Sequence, residues 1–342
     1  MAHPIPLKVI ALQAGVSLAT VDRVIKQRGG VQAATVRRVL QAIDELQRQS
    51  TQVGLAGRKF LIDVCMVAPQ RFSDAVRSAL EAELPSLQPA VLRARLHLHE
   101  TLEVDALVQL LDRIRKNGSH GVLLKAPDVA PVSAAVNRLV AAGIPIVTLV
   151  TDLPASRRCS YVGIDNRAAG ETAAYLLGQW LPRKKQQVLV ILSSNRFHGE
   201  EERELGFRRA LRERHRHLQI VEVSEGHGID GATGRLVRQA LAQHPAIGAV
   251  YSIGGGNGAI VEAFASAGRR CQAFVAHDLD SDNLALLRNG TVQAVLHHDL
   301  AADMHRACQD LLRAQGALAP LSRPAARSAI VVVTPFNVPG QA

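Results

Sequence analysis

The sequence lacks any apolar run of the about 18 residues that a membrane-spanning helix needs. Its first residues, MAHPIPLKVIALQAGVS, also lack the basic leader, the long apolar stretch and the small-residue cleavage site of a secretory signal. We therefore expect a cytoplasmic protein that makes no contact with a membrane.

Metal sites and disulfides are not indicated either. The cysteines, Cys65, Cys159, Cys271 and Cys308, are far apart and form no C-x-x-C pair, a spacing that fits neither a zinc site nor a disulfide framework. His297 and His298 are adjacent, but they have no third ligand at helical spacing. We expect no bound metal.

Catalytic motifs are missing as well. The chain contains no G-x-S-x-G, no H-E-x-x-H and no phosphate-binding P-loop. Gly254, Gly256 and Ala259 match the dinucleotide fingerprint after a strand-like run, but this short motif is weak by itself and comes late in the chain. We expect a binding protein with no catalytic residue and no cofactor, and not an enzyme.

What the sequence does have is a strong and uneven positive charge. The formal net charge is +10, and residues 1–60 hold nine Lys or Arg against three Asp or Glu, so +6 of it lies in less than a fifth of the chain. A concentrated positive field suits a polyanion, because binding to phosphates releases their counterions. Charge alone would fit a solvated basic surface equally well.

The same basic segment has the pattern of three short helices. LKVIALQA (7–14) precedes Gly15, and Ser17 can cap a second helix, LATVDRVIKQ, whose apolar residues recur at helical spacing. After Gly29 and Gly30, residues 33–47 repeat the pattern. Two helices around a Gly-containing turn are common in helical hairpins, so the pattern by itself leaves DNA binding open.

The residues of this segment are more specific than its pattern. AxxAGVSxATVxRVI (11–25), followed by GVQAATVRRVLQAIDEL (30–46), resembles the helix-turn-helix of the lactose-repressor and purine-repressor family, LacI/GalR. The resemblance implies a DNA-binding domain at residues 1–48, whose second helix enters the major groove of double-stranded DNA.

The resemblance also implies which side chains meet DNA. Leu18 and Ala19 occupy base-reading positions, where they can pack on thymine methyls. Arg23 is the natural partner for a guanine, although it could instead contact only phosphate. The other predicted contacts, which would set the position on the DNA backbone, are Ser17, Thr20, Lys26 and Thr35.

Residues 49–59 are predicted to be a hinge or linker. Members of the family normally have a Tyr-x-Pro-Asn step here, followed by a hinge helix that inserts a leucine into the minor groove. This chain is shorter at that place and has no proline there. Leu55 is either the corresponding wedge or an ordinary linker residue.

From residue 60 to 338, apolar runs of strand length alternate with helical patterns, which predicts parallel sheets flanked by helices. The runs are too many for one comfortable sheet, and a break near residues 161–165 indicates two similar lobes. The resemblance implies a periplasmic-binding-protein-like body, with one lobe at about 60–162 and 298–321 and the other at about 163–295 and 328–337. The predicted fold class is therefore an all-α helix-turn-helix head on a two-lobed α/β body.

The cleft between the lobes is the expected ligand site, because open parallel sheets bind ligands beyond the carboxyl ends of their strands. The resemblance matches effector-contacting positions to Asp165, Arg203, Asp278 and His298. It also places Gly254 where relatives often have Asn, so this contact could have moved to Asn257. Further candidates just beyond strands of the first lobe are Arg71, Phe72, Lys125 and Asp128. Any one of these residues could instead be structural, an Asp as a helix cap or Arg203 as the partner of a surface glutamate.

Carboxylates, an arginine and an imidazole together suit a hydroxyl-rich ligand. We predict a sugar or polyol effector that controls the binding of a homodimer to a pseudo-palindromic DNA operator. Repression is the commoner mode among the relatives. The alternative from another class is a solute-binding protein of the transport type, without a DNA function.

Overall fold

The structure is a computed structural model that describes residues 5–55, 57–321, 323 and 325–339. Within these ranges, no helix is both long and apolar enough to cross a membrane. The described chain forms a small helical head and a body of two α/β lobes, which confirms the predicted fold class.

The head consists of helices α1 (Leu7–Ala14), α2 (Leu18–Ile25) and α3 (Ala33–Leu55). Helix α1 ends at Gly15, whose left-handed backbone (φ 60°, ψ 41°) turns the chain towards α2. As predicted, the Ser17 side chain caps α2 by accepting a hydrogen bond from the Thr20 amide. Each helix contributes to the buried core of the head, with Ile10, Val21 and Val39 among its members.

Helix α3 is longer than the predicted third helix, and it runs through most of the predicted linker. The prediction stopped at residue 47 because the apolar stripe ends at Leu46 and the next residues are mostly polar. The helix reaches Leu55, whose side chain is 3% exposed and belongs to the same hydrophobic core as Phe60 of the body. A minor-groove contact of Leu55 stays a prediction, and it would require this side chain to leave that core. The division into residues 1–48, 49–59 and 60–338 also stays a prediction.

The first lobe is built on a parallel five-stranded sheet in the order β2-β1-β3-β4-β5. Its strands are β1 (Lys59–Val67), β2 (Val91–His99), β3 (Val122–Lys125), β4 (Ile146–Leu149) and β5 (Ser160–Val162). Its helices are α4 (Gln70–Glu83), α5 (Val104–Asn117) and α6 (Ala130–Ala141). Successive residues of β1 enter different cores, Val64 and Met66 on one face and Cys65 and Val67 on the other, so helices cover both faces of the sheet.

The second lobe repeats this architecture. Its helices are α7 (Asn166–Trp180), α8 (His198–Arg214), α9 (Asp230–Gln243), α10 (Asn257–Ser266) and α11 (Ser281–Arg288). Its sheet contains β6 (Gln186–Ile191), β7 (Leu218–Val223), β8 (Ile247–Ser252), β9 (Ala273–His277) and β10 (Ala294–His297). These five strands are parallel, and two buried cores cover the two faces of the sheet.

The chain passes between the lobes more than once. After β10, helix α12 (Leu300–Ala314) returns to the first lobe and packs against α4. The last strand, β11 (Val331–Val333), then joins the second sheet antiparallel to β10, which completes the order β11-β10-β9-β8-β6-β7. The connecting segments also meet each other, because Ile164 and Ser328 form an isolated parallel bridge.

Candidate effector site and DNA-binding head

A cavity of about 550 Å³, including its open mouth, lies between the carboxyl ends of the two sheets. Loops and helix starts that follow the strands supply its lining, as expected for open parallel sheets. Its polar and charged lining side chains are Arg71, Lys125, Thr151, Glu200, Arg203, His277, Asp278 and Asp280. Its apolar lining side chains are Pro69, Phe72, Val150, Phe197 and Ile253.

Arg203 is the central cation of this cavity. It lies in the second turn of α8 and is 2% exposed. Its Nε donates a hydrogen bond to Asn166 Oδ1 at 2.8 Å, whereas Nη2 is buried and has no hydrogen-bond partner among the described residues. A buried guanidinium nitrogen without a hydrogen-bond partner is costly, so Nη2 has an unused capacity to donate a hydrogen bond.

Asp278 is the matching acceptor. Its backbone is in the left-handed region (φ 63°), and Asn283 Nδ2 holds this loop by donating to the carbonyl oxygen of Asp278 at 2.7 Å. The carboxylate atom Oδ1 is buried and forms no hydrogen bond within the described part of the chain. Burial would raise the pKa of Asp278, but the charges of His298 and Arg203 outweigh it and hold the pKa well below its usual value. Asp278 is therefore an ionised carboxylate with a free lone pair.

His298 lies behind Asp278 and connects it to the segments that join the lobes. Its Nε2 is 3.6 Å from Asp278 Oδ1, too far for a hydrogen bond, and its Nδ1 donates to Asp303 Oδ2 at 2.6 Å. Asp303 Oδ1 accepts from Ser328 Oγ at 2.5 Å, and the Ser328 amide donates to the Gly163 carbonyl at 3.0 Å. This buried network therefore joins the cavity to all three connecting segments.

The same network keeps His298 protonated. Burial would lower the pKa of His298, but the hydrogen bond to Asp303 and the charges of Asp278 and Asp303 outweigh it and raise the pKa to about 9. The imidazolium thereby neutralises part of the charge of two buried carboxylates.

The first lobe contributes Lys125 and Phe72, and Phe197 comes from the start of α8 in the second lobe. Lys125 Nζ donates to the Val67 carbonyl at 3.1 Å and lies 4.2 Å from the centroid of the Phe197 ring. Burial lowers the pKa of this amine. Phe72 is also buried and adds a second aromatic side chain to the lining.

Two family models match the chain. The model for bacterial regulatory proteins of the lacI family covers residues 6–47, and the periplasmic binding protein domain covers residues 68–316, which is more than half of the chain. The chain combines a lacI-family head with a body that belongs to the periplasmic binding protein domain family. No curated protein matches it.

Solved structures share the body of this protein at low sequence identity. GanP, a glucose-galactose binding protein from Geobacillus stearothermophilus, is 20% identical over 82% of this chain and 99% of its own, with a TM-score of 0.72. A solute binding protein from Burkholderia graminis in complex with D-arabinose is 18% identical over 84% of this chain and 98% of its own, with a TM-score of 0.73. A candidate LacI transcriptional regulator from Bacteroides fragilis is 16% identical over 82% of this chain and 98% of its own, with a TM-score of 0.68. These likenesses establish the fold.

Among the predicted effector residues, the structure brings Arg71, Phe72, Lys125, Arg203, Gly254 and Asp278 to the cavity wall, with His298 directly behind it. Gly254 has a structural reason to be glycine, because a Cβ atom there would lie 1.9 Å from the Ser193 backbone nitrogen. Arg71 is also engaged with protein groups, since it bonds to residues of the second lobe.

The remaining three predicted effector residues lie outside the cavity lining. Asp165 is exposed and caps α7 by accepting from the Ala168 amide at 3.0 Å. Asp128 donates its backbone amide to the Arg196 carbonyl at 2.7 Å, which joins the two lobes beside the cavity. Asn257 is buried, and its Nδ2 donates to Asn283 Oδ1 at 2.6 Å, so it supports the loop of Asp278. Direct effector contact by these three stays a prediction, and it would need a rearrangement of their present surroundings.

The sequence pattern missed several residues in the cavity wall or next to it. Asn166 orients Arg203 by accepting its hydrogen bond. The sequence analysis selected the preceding residue, Asp165, instead. Glu200 accepts hydrogen bonds from the amide (2.7 Å) and the hydroxyl (2.5 Å) of Ser193, and its place in the first turn of α8 was the available signal. His277 ends β9 and bonds through Nε2 to the Tyr251 hydroxyl at 2.8 Å. Its position at the end of a strand was also visible in the sequence.

The predicted DNA contacts of the head differ in their exposure and in their ion pairs. Leu18, Ala19 and Arg23 are exposed on one helix, and Arg23 forms no ion pair among the described residues. Lys26 is also exposed, but its Nζ is 2.6 Å from Asp22 Oδ1. The other predicted contacts are Ser17, exposed at the start of α2, and the half-buried Thr20 and Thr35. All of these DNA contacts remain predictions, and Arg23 is the cation with the least competition from a protein carboxylate.

Proposed function

We propose that this protein is a sequence-specific transcription regulator, acting as a repressor in the cytoplasm, whose binding to operator DNA is controlled by a sugar or polyol held between the two lobes. It acts by binding alone. The helix-turn-helix head would read the DNA and the cavity in the body would read the effector.

The observation that carries the choice of effector is a pair of unsatisfied atoms in the cavity wall. Arg203 Nη2 is a buried donor and Asp278 Oδ1 is a buried acceptor, and neither has a hydrogen-bond partner among the described residues. A hydroxyl group can accept from the first and donate to the second, whereas a carboxylate or phosphate could only accept. A ligand with several hydroxyl groups satisfies both atoms at once.

The balance of charge in the cavity supports a neutral ligand. The cations Arg71, Lys125 and Arg203 line it together with the carboxylates of Glu200, Asp278 and Asp280. An acidic sugar would add a negative charge beside three carboxylates. The rings of Phe72 and Phe197, which line the cavity, can pack against the C–H faces of a sugar. The glucose-galactose and D-arabinose binding proteins of the same fold are in line with this choice.

Control of DNA binding would require two heads on one dimer. A pseudo-palindromic operator presents two symmetric half-sites, and a homodimer with a two-fold axis matches them. Effector binding would change how the lobes are placed relative to each other, and thereby the spacing or order of the heads. By thermodynamic linkage, an effector that weakens operator binding must itself be bound more weakly by the DNA complex.

The test is a thermal-shift panel of the full chain with monosaccharides, polyols, sugar phosphates and purines. A true ligand at 100 times its Kd stabilises the native state by about 2.7 kcal/mol, which such a measurement detects. We expect a selective neutral sugar or polyol to stabilise the protein and to change its affinity for operators selected from random DNA. A hit confined to sugar phosphates or purines would contradict the proposed effector class.

The rival function is that of a solute-binding protein without a role on DNA, because proteins of that kind share the fold of the body. The lacI-family head argues against it. If the full chain stabilised with sugars but selected no DNA sequence, the rival would be the better description.

A further inference from the structure

Arg71 is the cavity residue whose contacts differ most from those of a ligand-binding group. It lies in the first turn of α4, which belongs to the first lobe. Its guanidinium nevertheless bonds to the second lobe, with Nε donating to Asp280 Oδ2 at 2.9 Å and Nη2 donating to the Gly228 carbonyl at 2.9 Å. Its side chain is 17% exposed and that of Asp280 is 8% exposed, so the pair is largely shielded from water.

Three separate loops of the second lobe receive this arginine. Gly228 belongs to the loop before α9, and Asp230, the first residue of α9, has its Oδ1 3.9 Å from Arg71 Nη1. Gly255 belongs to the loop before α10, and a Cβ atom there would lie 2.6 Å from Arg71 Nη2. Asp280 precedes α11 and caps it by accepting from the Asn283 amide at 2.8 Å. The second lobe is thus shaped to seat this side chain.

We propose that Arg71 is an inter-lobe latch: it holds the two lobes closed over the cavity without any effector, and it is not itself an effector ligand. Its hydrogen bonds join a donor on the first lobe to acceptors on the second lobe. The closure that the effector would otherwise have to bring about is therefore already provided by the chain. Arg71 is a positioning residue that acts through the distance between the lobes.

Pro69 strengthens the same contact. A Cβ atom at Gly228 would lie 2.7 Å from Pro69 Cγ, so the start of α4 already touches the loop that accepts the Arg71 hydrogen bond. This fit and the ion pair with Asp280 both disappear when the lobes separate. The contact of Pro69 with the Gly228 loop and the hydrogen bond of Arg71 to Asp280 are therefore made only in the closed form.

The experiment measures the distance between the lobes of the effector-free full chain by pulsed electron paramagnetic resonance. Spin labels are placed through Glu103→Cys on the first lobe and Arg235→Cys on the second, both at exposed positions, with Cys159→Ser and Cys271→Ser to remove the other accessible thiols. Labelled protein is diluted into an excess of unlabelled protein, so that distances between chains of any oligomer do not contribute. Because neither effector nor DNA is present, the outcome does not depend on the proposed function.

We expect one narrow distance in the parent chain and a broad distribution with a longer component after Arg71→Gln. Arg77→Gln is the matched control, since Arg77 lies on the same helix and pairs with Asp74 of its own helix. It should leave the narrow distance unchanged. A broad distribution in the parent chain, or an unchanged narrow one after Arg71→Gln, overturns the latch.

Asp280→Asn provides a second route to the same answer. An asparagine keeps an oxygen that can cap α11, but it removes the charge that faces Arg71. We expect this variant to broaden the distance partly and the double variant to resemble Arg71→Gln alone, because both substitutions break one contact. Independent and additive broadening would show that the two residues do not act on each other, and it too would overturn the proposal.

Discussion

At the scale of single residues, the cavity wall contains polar atoms that form hydrogen bonds within the protein and polar atoms that form none among the described residues. Asn166 accepts from Nε of the Arg203 guanidinium, whereas Nη2 has no hydrogen-bond partner among the described residues. Asp278 and Val150 line the same cavity, and both have left-handed backbones (φ 63° and 64°), a costly conformation for a β-branched residue such as Val150. Buried unpaired polar atoms and strained backbone together favour a site that is completed by a ligand.

The first prediction concerns Arg203. Arg203→Ala should weaken effector binding by roughly 1.5–3 kcal/mol, the usual value of a hydrogen bond to a charged group, and should leave the affinity for operator DNA unchanged. Calorimetric titration of the effector and a DNA-binding assay measure the two quantities. Arg209→Ala is the control, because this exposed arginine of the same helix pairs with Glu213. An unchanged effector affinity after Arg203→Ala would remove this residue from the site.

The second prediction concerns Arg23. If it reads a guanine, Arg23→Ala should cost about 1–3 kcal/mol on the operator and much less on random DNA. Lys26→Ala should weaken binding to both DNAs alike, since its predicted contact is to phosphate. Parallel titrations of operator and random DNA at one salt concentration distinguish the two cases. Equal losses on both DNAs after Arg23→Ala would show a phosphate contact only.

At the scale of elements, helix α3 connects the head to the body. It begins in the core of the head and ends at Leu55, which is buried with residues of the first lobe. One continuous helix therefore contributes to two hydrophobic cores, and a movement of the first lobe would act directly on the end of this helix.

Substitution of Leu55 tests that connection. Leu55→Ala should lower the free energy of unfolding of the body by roughly 2–5 kcal/mol, because it removes a buried side chain and leaves a cavity. Leu40→Ala on the same helix should change stability little, since Leu40 is 52% exposed. Urea unfolding followed by circular dichroism measures both. A loss at Leu55 as small as that at Leu40 would place Leu55 outside the core.

A second connection between elements is the buried network of His298, Asp303 and Ser328. Because the pKa of His298 rises from 6.5 to about 9 on folding, its contribution to stability is complete below pH 6.5 and is lost as the pH rises through about 9. The stability difference between the natural protein and His298→Gln should therefore shrink by about 3 kcal/mol over this range, at about 1.4 kcal/mol per pKa unit. Urea unfolding at several pH values measures it.

His297→Gln is the control for this pH dependence. Burial lowers the pKa of His297, so this neighbour contributes stability that is lost as the pH falls, the opposite sign. It should not remove the alkaline loss. A stability difference that is independent of pH for His298→Gln would mean that His298 is neutral in the folded protein.

At the scale of the whole molecule, the predicted domain division separates a DNA-binding domain from an effector-binding body. Removal of residues 1–48 should abolish operator binding and leave a folded body with unchanged effector affinity, because the lobes have their own cores. Removal of residues 1–59 should give a less stable body, since it also removes Leu55. Gel-shift assays and thermal unfolding test both truncated chains. An unfolded product from the shorter deletion would refute the boundary at residue 48.

Much of this protein could be predicted from local sequence. The cap of α2 by Ser17, the three helices of the head and the strand and helix alternation of the body depend on residues within a few positions of one another, and the structure confirms them. Lys125 could be selected as a site residue because the carboxyl ends of parallel strands lie at one edge of a sheet. Arg203 and Asp278 were selected because the residues around them resemble the family's effector-contacting positions. The sequence thus determined the architecture and the region of the effector cavity.

Only the tertiary structure decided how each side chain is used. Arg71 meets Asp280 across 209 residues, Asn166 orients Arg203 across 37, and Leu55 packs into a lobe that local pattern assigned to a separate domain. Asp165, which has the more recognisable motif, caps a helix, whereas its neighbour Asn166 accepts a hydrogen bond from Arg203 in the cavity wall. These outcomes depend on the relative placement of loops from two lobes. Local hydrophobic periodicity carries no information about that placement, because it records which face of an element is buried and not what lies opposite.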